Sequence, residues 1–274
     1  MAAQASTKKK RQIGARPLIR FGVIFTVACT LLTGAIYASQ QFEQFVIRDS
    51  RFFLPGPADY GLESPNLELY GLKFASRERV LRIFDQDFGR SLFLFPLAER
   101  RKALLTVPWV HDASIIRIWP NRLQVKIVER QPAAFIKLPA ESMARWALID
   151  SEGVIMDPPQ KAPFHLPVLL GVRASESLDL RGKRVRRMQR LMKELGPLAD
   201  HVSEVDVSDL DNLRITEQAE GTAVSLMLGD RNFVPRLQNF LDHYHDIHRK
   251  MPQAGSFDLR LDDRITGLEP NDGR

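Results

Sequence analysis

The sequence predicts an α+β protein with one N-terminal transmembrane helix, a β-α-α-β-β unit, and a second, mainly antiparallel α+β domain. Three observations support this fold class. A long uncharged run follows a basic N-terminus, and two short helical patterns lie between strand-like runs over residues 65–133. Residues 134–270 then contain many short strand-like runs and few helical ones.

Residues 21–42 predict the transmembrane helix. These 22 residues carry no charge, and a helix of that length reaches roughly 33 Å, enough for a hydrocarbon core of about 30 Å. The basic tail at 1–20 and Glu43 beyond the run place the N-terminus in the cytoplasm and the bulk of the chain outside. A cleaved signal peptide is the alternative, but the run is too long and lacks a good cleavage site.

Residues 43–64 predict a juxtamembrane linker, since proline, glycine and charge are mixed toward their end. The unit over 65–133 begins with an alternating strand at 66–71. Ser76 is expected to cap its first helix, and Pro96 suits the first turn of its second helix.

A β-hairpin closes this unit. Its strands are predicted from 110 to 119 and from 122 to 129, with Pro120 in the turn between them. Leu123 and Val125 alternate with polar residues, so one face of the second strand is expected to lie against the helices. The sequence ERQP then ends the hairpin, because proline cannot donate to a strand ladder.

The second domain, over 134–270, is predicted from two amphipathic helices and several short strands, with a tail at 271–274. The helices are expected at 182–196 and 233–250. The strands are expected at 146–150, 153–157, 166–170, 201–207, 213–217, 223–228 and 256–261.

The hairpin resembles that of a POTRA domain of the FtsQ/DivIB type, found in bacterial cell-division proteins. Two later segments, LIDSEGVIM at 148–156 and FDLRLDDRITG at 257–267, are similar to further parts of that family. The matching hairpin positions include Trp109, Val110, Pro120, Leu123, Val125, Glu129, Arg130 and Pro132. Glu129 and Arg130 are expected to end the strand in water and to pair with neighbours.

The resemblance implies a non-enzymatic scaffold of the division complex, held in the inner membrane by one helix, with its bulk in the periplasm and its place at the septum. It implies FtsB-like and FtsL-like bitopic proteins and other division components as partners, besides the lipid bilayer. It also implies a link between early and late division proteins for septal peptidoglycan synthesis. No cofactor is implied.

The last strand is the candidate partner-binding edge, because terminal strands often lie at sheet edges and can accept a strand from a partner. By resemblance, Leu261 and Leu268 match aromatic contact positions of the family. Leu259 and Leu261 could equally pack in the core. The candidate residues are Phe257, Asp258, Leu259, Arg260, Leu261 and Leu268.

The charge distribution argues against a nucleic-acid partner. The net charge is +6, but residues 1–20 carry six basic and no acidic residues, so the rest of the chain is formally neutral. A phosphate-binding domain would collect its basic excess on a folded face. The single cysteine, Cys29, excludes an internal disulfide framework and a cysteine-based zinc cluster.

No motif predicts an enzyme, and one histidine cluster is a candidate metal site. His243, His245 and His248 lie on one predicted helix, where Asp242 or Asp246 could complete a site. A solvated polar face is the expected explanation, and no role is predicted for the three histidines. The alternative function is a POTRA-containing periplasmic transport or chaperone component, which would usually carry several such repeats and a barrel.

Overall fold

The structure is a computed structural model that describes residues 15–57, 64–139, 145–160, 164–219, 221–261 and 264–268, without the side chains of 15–20 and 22. Its helices are α1 (Ala15–Arg48), α2 (Arg77–Arg82), α3 (Leu97–Leu104), α4 (Leu178–Leu195) and α5 (Phe233–Lys250). Its strands are β1 (Leu67–Tyr70), β2 (Val110–Ile118), β3 (Arg122–Glu129), β4 (Pro132–Leu138), β5 (Arg145–Asp150), β6 (Ile155–Met156), β7 (Val168–Leu170), β8 (Val202–Asp206), β9 (Leu213–Ala219), β10 (Thr222–Gly229), β11 (Ser256–Asp258) and β12 (Thr266–Leu268). This order confirms the predicted fold class.

The chain divides into two compact units. The first contains α1 and the residues up to Glu68, together with 84–97 and 115–124. The second contains 69–83, 98–114 and the chain from Val125 onward.

In the first unit, helix α1 is longer than the predicted span. It continues to Arg48 because Gln40, Gln41, Glu43 and Gln44 favour helix and contain no breaker. The beginning of the predicted linker is therefore helical. The hydroxyl of Ser91 donates a hydrogen bond of 2.8 Å to the Val46 carbonyl, so the last turns of α1 are fastened to the folded unit.

The small sheet has the order β1-β3-β2. Its central strand β3 buries Leu123, Val125 and Ile127 and exposes Lys126 between them, as the alternation predicts. The Ser76 hydroxyl accepts a hydrogen bond from the Arg79 amide and caps α2.

The large sheet has the order β12-β11-β10-β9-β8-β7-β4-β5-β6. Five of its pairings are antiparallel, and three are parallel: β10 with β11, β4 with β7, and β7 with β8. Helices α4 and α5 bury their apolar faces on this sheet and form the main core of the second unit. Strand β4 was not predicted, and it begins only two residues after β3 ends.

Candidate partner-binding edge

The predicted edge strand lies one place inside the sheet. Strand β11 covers only Ser256–Asp258, pairs in parallel with β10, and pairs on its other side with β12. The sequence predicts the run that contains β11 as the edge, but β12 pairs antiparallel with β11 on its outer side. Within the described residues, β12 is therefore the outermost strand at this end of the sheet.

The hydrogen bonds of β11 determine which backbone groups of β12 are paired. The Ser225 amide donates to the Gly255 carbonyl, and the Leu259 amide donates to the Met227 carbonyl, both at 2.9 Å. Positions 255, 257 and 259 therefore face β10, and the alternation of a strand turns Ser256 and Asp258 toward β12.

The same alternation leaves one residue of β12 facing outward. Ser256 is opposite Leu268 and Asp258 is opposite Thr266, so Thr266 and Leu268 direct their backbone groups to β11. The N–H and C=O of Gly267 point to the other side, where the structure describes no further strand. Such outward groups are the template for strand addition.

The candidate side chains divide between the core and the surface. Phe257 packs against Phe240 with ring centroids 5.2 Å apart, and Leu259 is only 2% exposed. Leu261 is 53% exposed, and Leu268 is half-buried. Leu259 and Phe257 thus stabilise the fold, whereas Leu261 and Leu268 are available to a partner.

Two arginines hold the chain after β11 in place. The buried Arg236 guanidinium donates to the Leu228 carbonyl and to the Arg260 carbonyl, both at 2.7 Å. Arg260 in turn forms a bidentate ion pair with Asp258, in which its Nε donates to Oδ1 at 3.0 Å and its Nη2 donates to Oδ2 at 2.7 Å. The hydrogen bonds from Arg260 hold the pKa of the Asp258 carboxyl below its usual value.

An open groove of about 430 Å³ lies beside this segment. Residues at the start of α5, through its second turn, form one wall, and Leu259, Leu261 and Ile265 form the other. Apolar and amide side chains share its lining, which consists of Asn232, Pro235, Arg236, Asn239, Leu259, Leu261 and Ile265. An apolar partner side chain would contact Leu261 and Ile265 there.

The hairpin motif residues have structural contacts. Trp109 is buried against Phe74 and Phe164, with centroids 5.3 and 6.3 Å away. Its indole N–H donates to the Asp157 carbonyl at 2.9 Å. Val110, Leu123 and Val125 are buried, Pro120 lies in the turn, and Pro132 opens β4.

Glu129 and Arg130 pair with neighbouring groups, as predicted, but they are not solvated strand ends. The Glu129 carboxylate accepts the backbone N–H groups of Lys73, Phe74 and Ala75 at 2.8–3.0 Å. Arg130, with a side chain 13% exposed, donates to Asp150 at 2.7 Å. It also pairs with Glu152 at 2.5 Å, and this hydrogen bond lowers the pKa of Glu152.

The three helix histidines are exposed on α5. The ring Nδ1 of His243 lies 2.9 Å from the Asn239 carbonyl, His248 stacks on Tyr244, and Asp246 pairs with Arg249 at 2.9 Å. Among the described residues, no three His, Cys, Asp or Glu side chains come together as metal ligands.

Two important residues of this edge were missed from the sequence. Gly267 lies in a strand of three residues, which is too short to show a period, and a three-residue strand was not anticipated there. Arg236 lies on the amphipathic helix α5, where its guanidinium donates to the carbonyls of Leu228 on β10 and of Arg260, which follows β11. Its position inside an otherwise apolar helix face was the only available signal.

The fold and its N-terminal helix define the class of the protein. Among the described residues, one helical segment, Val23–Arg48, is long and apolar enough to cross a membrane. It precedes a β-α-α-β-β unit and a β-rich domain. This arrangement fits a single-pass membrane protein.

Comparison with known proteins identifies the family. A sequence model described as "POTRA domain, FtsQ-type" matches residues 66–130, and one described as "Cell division protein FtsQ/DivIB, C-terminal" matches 142–260. Together the two matches cover more than half of the chain. The chain belongs to the FtsQ/DivIB family of bacterial cell division proteins.

Curated relatives carry the same description, "Cell division protein FtsQ". That of Koribacter versatilis is 35% identical over 74% of this chain and 59% of its own length. That of Coxiella burnetii is 30% identical over 57% and 58%, and that of Novosphingobium aromaticivorans is 29% identical over 76% and 62%. The chain thus spans about three fifths of the length of these relatives.

The solved structures that the chain is similar to include the major extracytoplasmic domain of the trans isomer of DivIB from Geobacillus stearothermophilus. It is 14% identical, covers 45% of this chain and 96% of its own, and has a TM-score of 0.24. The helices and strands of this chain, and not this match, define its fold.

Proposed function

We propose that this chain is a non-enzymatic, membrane-anchored scaffold of the bacterial division complex. It binds FtsB-like and FtsL-like bitopic proteins by strand addition at β12, and links early and late division proteins for septal peptidoglycan synthesis. Its short tail is cytoplasmic, its two domains are periplasmic, and it collects at the septum. The outward N–H and C=O of Gly267 carry this proposal, and the exposed Leu261 after β11 supports it.

The main chain alone gives only part of the binding free energy. Gly267 offers two outward hydrogen-bonding groups, which contribute together about 1–3 kcal/mol. Complete burial of one leucine side chain contributes about 1.5–3 kcal/mol. Leu261 and Leu268 are therefore expected to contribute at least as much as the backbone, and a partner segment should carry apolar residues toward them.

Membrane anchoring compensates for a small binding surface. A partner with its own transmembrane helix diffuses in the same bilayer, so its effective concentration near β12 is high. Weak contacts at a three-residue strand then suffice for assembly. The apolar, exposed α1 supports this part of the proposal.

Co-purification with the FtsB-like protein of the same organism tests strand addition. Gly267→Pro removes the outward N–H, and we expect capture to fall about tenfold or more. Gly267→Ala is the matched control, because it keeps the N–H and places its Cβ 3.0 Å from the flexible Met251 sulfur. Both full-length variants must show the circular dichroism spectrum of the wild type.

Leu261→Asp is the side-chain arm of the same experiment, and it should also lose the partner. Undiminished capture by both Gly267→Pro and Leu261→Asp would refute binding at this edge. Depletion of the chain tests the division role separately: we expect filamentous cells and a fluorescent fusion at midcell. Uniform membrane fluorescence with normal cell length would refute that role.

A further inference from the structure

A group of apolar side chains remains exposed where α1 meets the folded part of the first unit. We name it the juxtamembrane apolar surface, and its members are between 37% and 65% exposed. They come from α1, from the 3-10 turn at Leu92–Leu94, and from the tip of the β2–β3 hairpin. Its residues are Phe42, Phe45, Phe93, Leu94 and Trp119.

Aromatic contacts connect the helix to the hairpin tip. The ring centroids of Phe45 and Phe52 are 5.7 Å apart, and those of Phe52 and Trp119 are 5.9 Å apart, both in edge-to-face geometry. Such pairs contribute about 0.5–1.5 kcal/mol beyond the area that they bury. Trp119 is therefore held at the side of α1, although the hairpin is distant in sequence.

The 3-10 turn is fixed to the same helix end. The Ser91 hydroxyl donates to the Val46 carbonyl, and Phe53 forms a β-bridge with Ser91. Leu54 is fully buried and exchanges backbone hydrogen bonds of 3.0 and 2.9 Å with Arg90 and Gly89. Phe93 and Leu94 lie two and three residues after Ser91, beyond the buried Leu92, so their exposure at the helix end is a fixed feature of the fold.

The position of this surface along α1 corresponds to the membrane interface. The uncharged run ends at Phe42, and Phe45 lies one turn further, about 4.5 Å along the helix axis. The polar headgroup region extends about 5–8 Å beyond each side of the hydrocarbon core. Phe45 and the rings attached to it are thus at headgroup depth, where tryptophan and other amphipathic rings are enriched.

We propose that the juxtamembrane apolar surface rests on the bilayer that α1 crosses and holds the first unit against the lipid headgroups. The occupant is lipid, because the surface continues the lipid-exposed helix without a gap. Burial of these side chains would stabilise one orientation of the unit relative to the membrane. This role is independent of partner binding at β12.

The nearby charges favour an apolar rather than an electrostatic contact with lipid. Arg51 lies over the Phe45 ring at 5.6 Å and pairs with Asp49 at 2.7 Å, so its charge is already compensated. Contact with lipid is therefore expected in zwitterionic as well as anionic vesicles, and it should resist added salt.

Quenching of tryptophan fluorescence by brominated lipid tests this contact in the full-length protein in phosphatidylcholine vesicles. The chain has three tryptophans. Trp109 is buried, and Trp146 on β5 matches Trp119 in exposure, at 48% against 49%. We expect bromine near the headgroup to quench the wild type, Trp119→Phe to lose most of this quenching, and Trp146→Phe to keep it.

Three outcomes would overturn the proposal: no quenching of the wild type, undiminished quenching in Trp119→Phe, or loss of quenching in Trp146→Phe. A second label makes the test independent of Trp119. Leu94→Cys in a Cys29→Ser background carries an environment-sensitive dye, with Leu178→Cys as the exposed control. A blue shift and quenching at 94 but not at 178 supports lipid contact, and equal aqueous emission at both positions refutes it.

Discussion

Two regions of the molecule differ in whether their polar backbone groups are hydrogen-bonded. One is the junction between the small and large sheets, and the other is the C-terminal end of the large sheet. At the junction, Glu129 accepts three backbone N–H groups and Trp109 donates to a carbonyl. At the C-terminal end, the N–H and C=O of Gly267 face outward from the last described strand. Satisfied groups make the junction a structural element, whereas the outward groups of Gly267 can still bind a partner.

The same difference distinguishes the hairpin motif residues from the candidate partner-binding residues. The hairpin residues that signal the family, such as Trp109 and Arg130, are buried among contacts of their own chain. The candidate contact residues, Leu261 and Leu268, have no such network and are ordinary leucines in the sequence. In this chain, the residues that carry the family resemblance are therefore not those of the candidate binding edge.

The largest difference in stability is expected between substitutions at Leu259 and at Leu261, which lie two residues apart. Leu259→Asp places a charge in the core beneath α5 and should destabilise the fold by several kcal/mol, about as much as or more than a leucine-to-alanine core substitution. Leu261→Asp should change the free energy of unfolding by less than about 0.5 kcal/mol. Urea unfolding of the full chain in detergent, followed by circular dichroism, measures both. Similar stability of the two variants would remove the division between core and surface.

A smaller loss is expected at the junction. Glu129→Ala leaves the amides of Lys73, Phe74 and Ala75 without their acceptor, which should cost about 2–4 kcal/mol. Glu78→Ala is the matched control, because it removes only an exposed ion pair with Arg82 and should cost less than about 1 kcal/mol. The same urea unfolding experiment measures both variants. Equal losses of stability would mean that water replaces Glu129 as the acceptor for the three N–H groups.

A buried carboxylate without such donors gives the smallest, pH-dependent effect. Glu217 on β9 is buried, and its Oε2 has no hydrogen-bond partner among the residues that the structure describes. Burial raises the pKa of Glu217, while the charge of His201 acts in the opposite direction. Because the folded-state pKa is above the unfolded value, its stabilising contribution is complete below the unfolded pKa and is lost as pH rises through the folded pKa.

Glu217→Gln removes that titration. We expect the variant and the wild type to have similar stability in acid, and the variant to become the more stable as the pH rises toward neutral. Thermal unfolding across this pH range measures the difference. A difference that stays constant with pH would contradict a raised pKa at Glu217.

Long elements could be predicted from the sequence, because their periodic burial repeats over several turns or residue pairs. Strand β3 and helix α5 have the predicted bounds, and Leu123 and Val125 are buried as expected. The sequence does not predict strand β4, because it follows the hairpin after only two residues and begins with Pro132, a residue that usually ends strand structure.

The binding edge was harder to predict, because it depends on pairing between distant segments. Strands β11 and β12 have three residues each, so neither shows a clear period. The parallel pairing of β11 with β10 places it inside the sheet, which no local pattern indicates. The hydrogen-bond partners of Arg236 and Glu129 likewise lie in other segments of the chain, which only the fold brings near.

Residue-resolved amide hydrogen exchange at Gly267 tests the central claim most directly. The full chain would be measured alone and with the periplasmic segment of the FtsB-like partner. We predict rapid exchange at Gly267 in the free chain, slower exchange at Thr266 and Leu268, and at least about tenfold slower exchange at Gly267 when the partner is bound. A bound partner that leaves the exchange of Gly267 unchanged would contradict strand addition at β12.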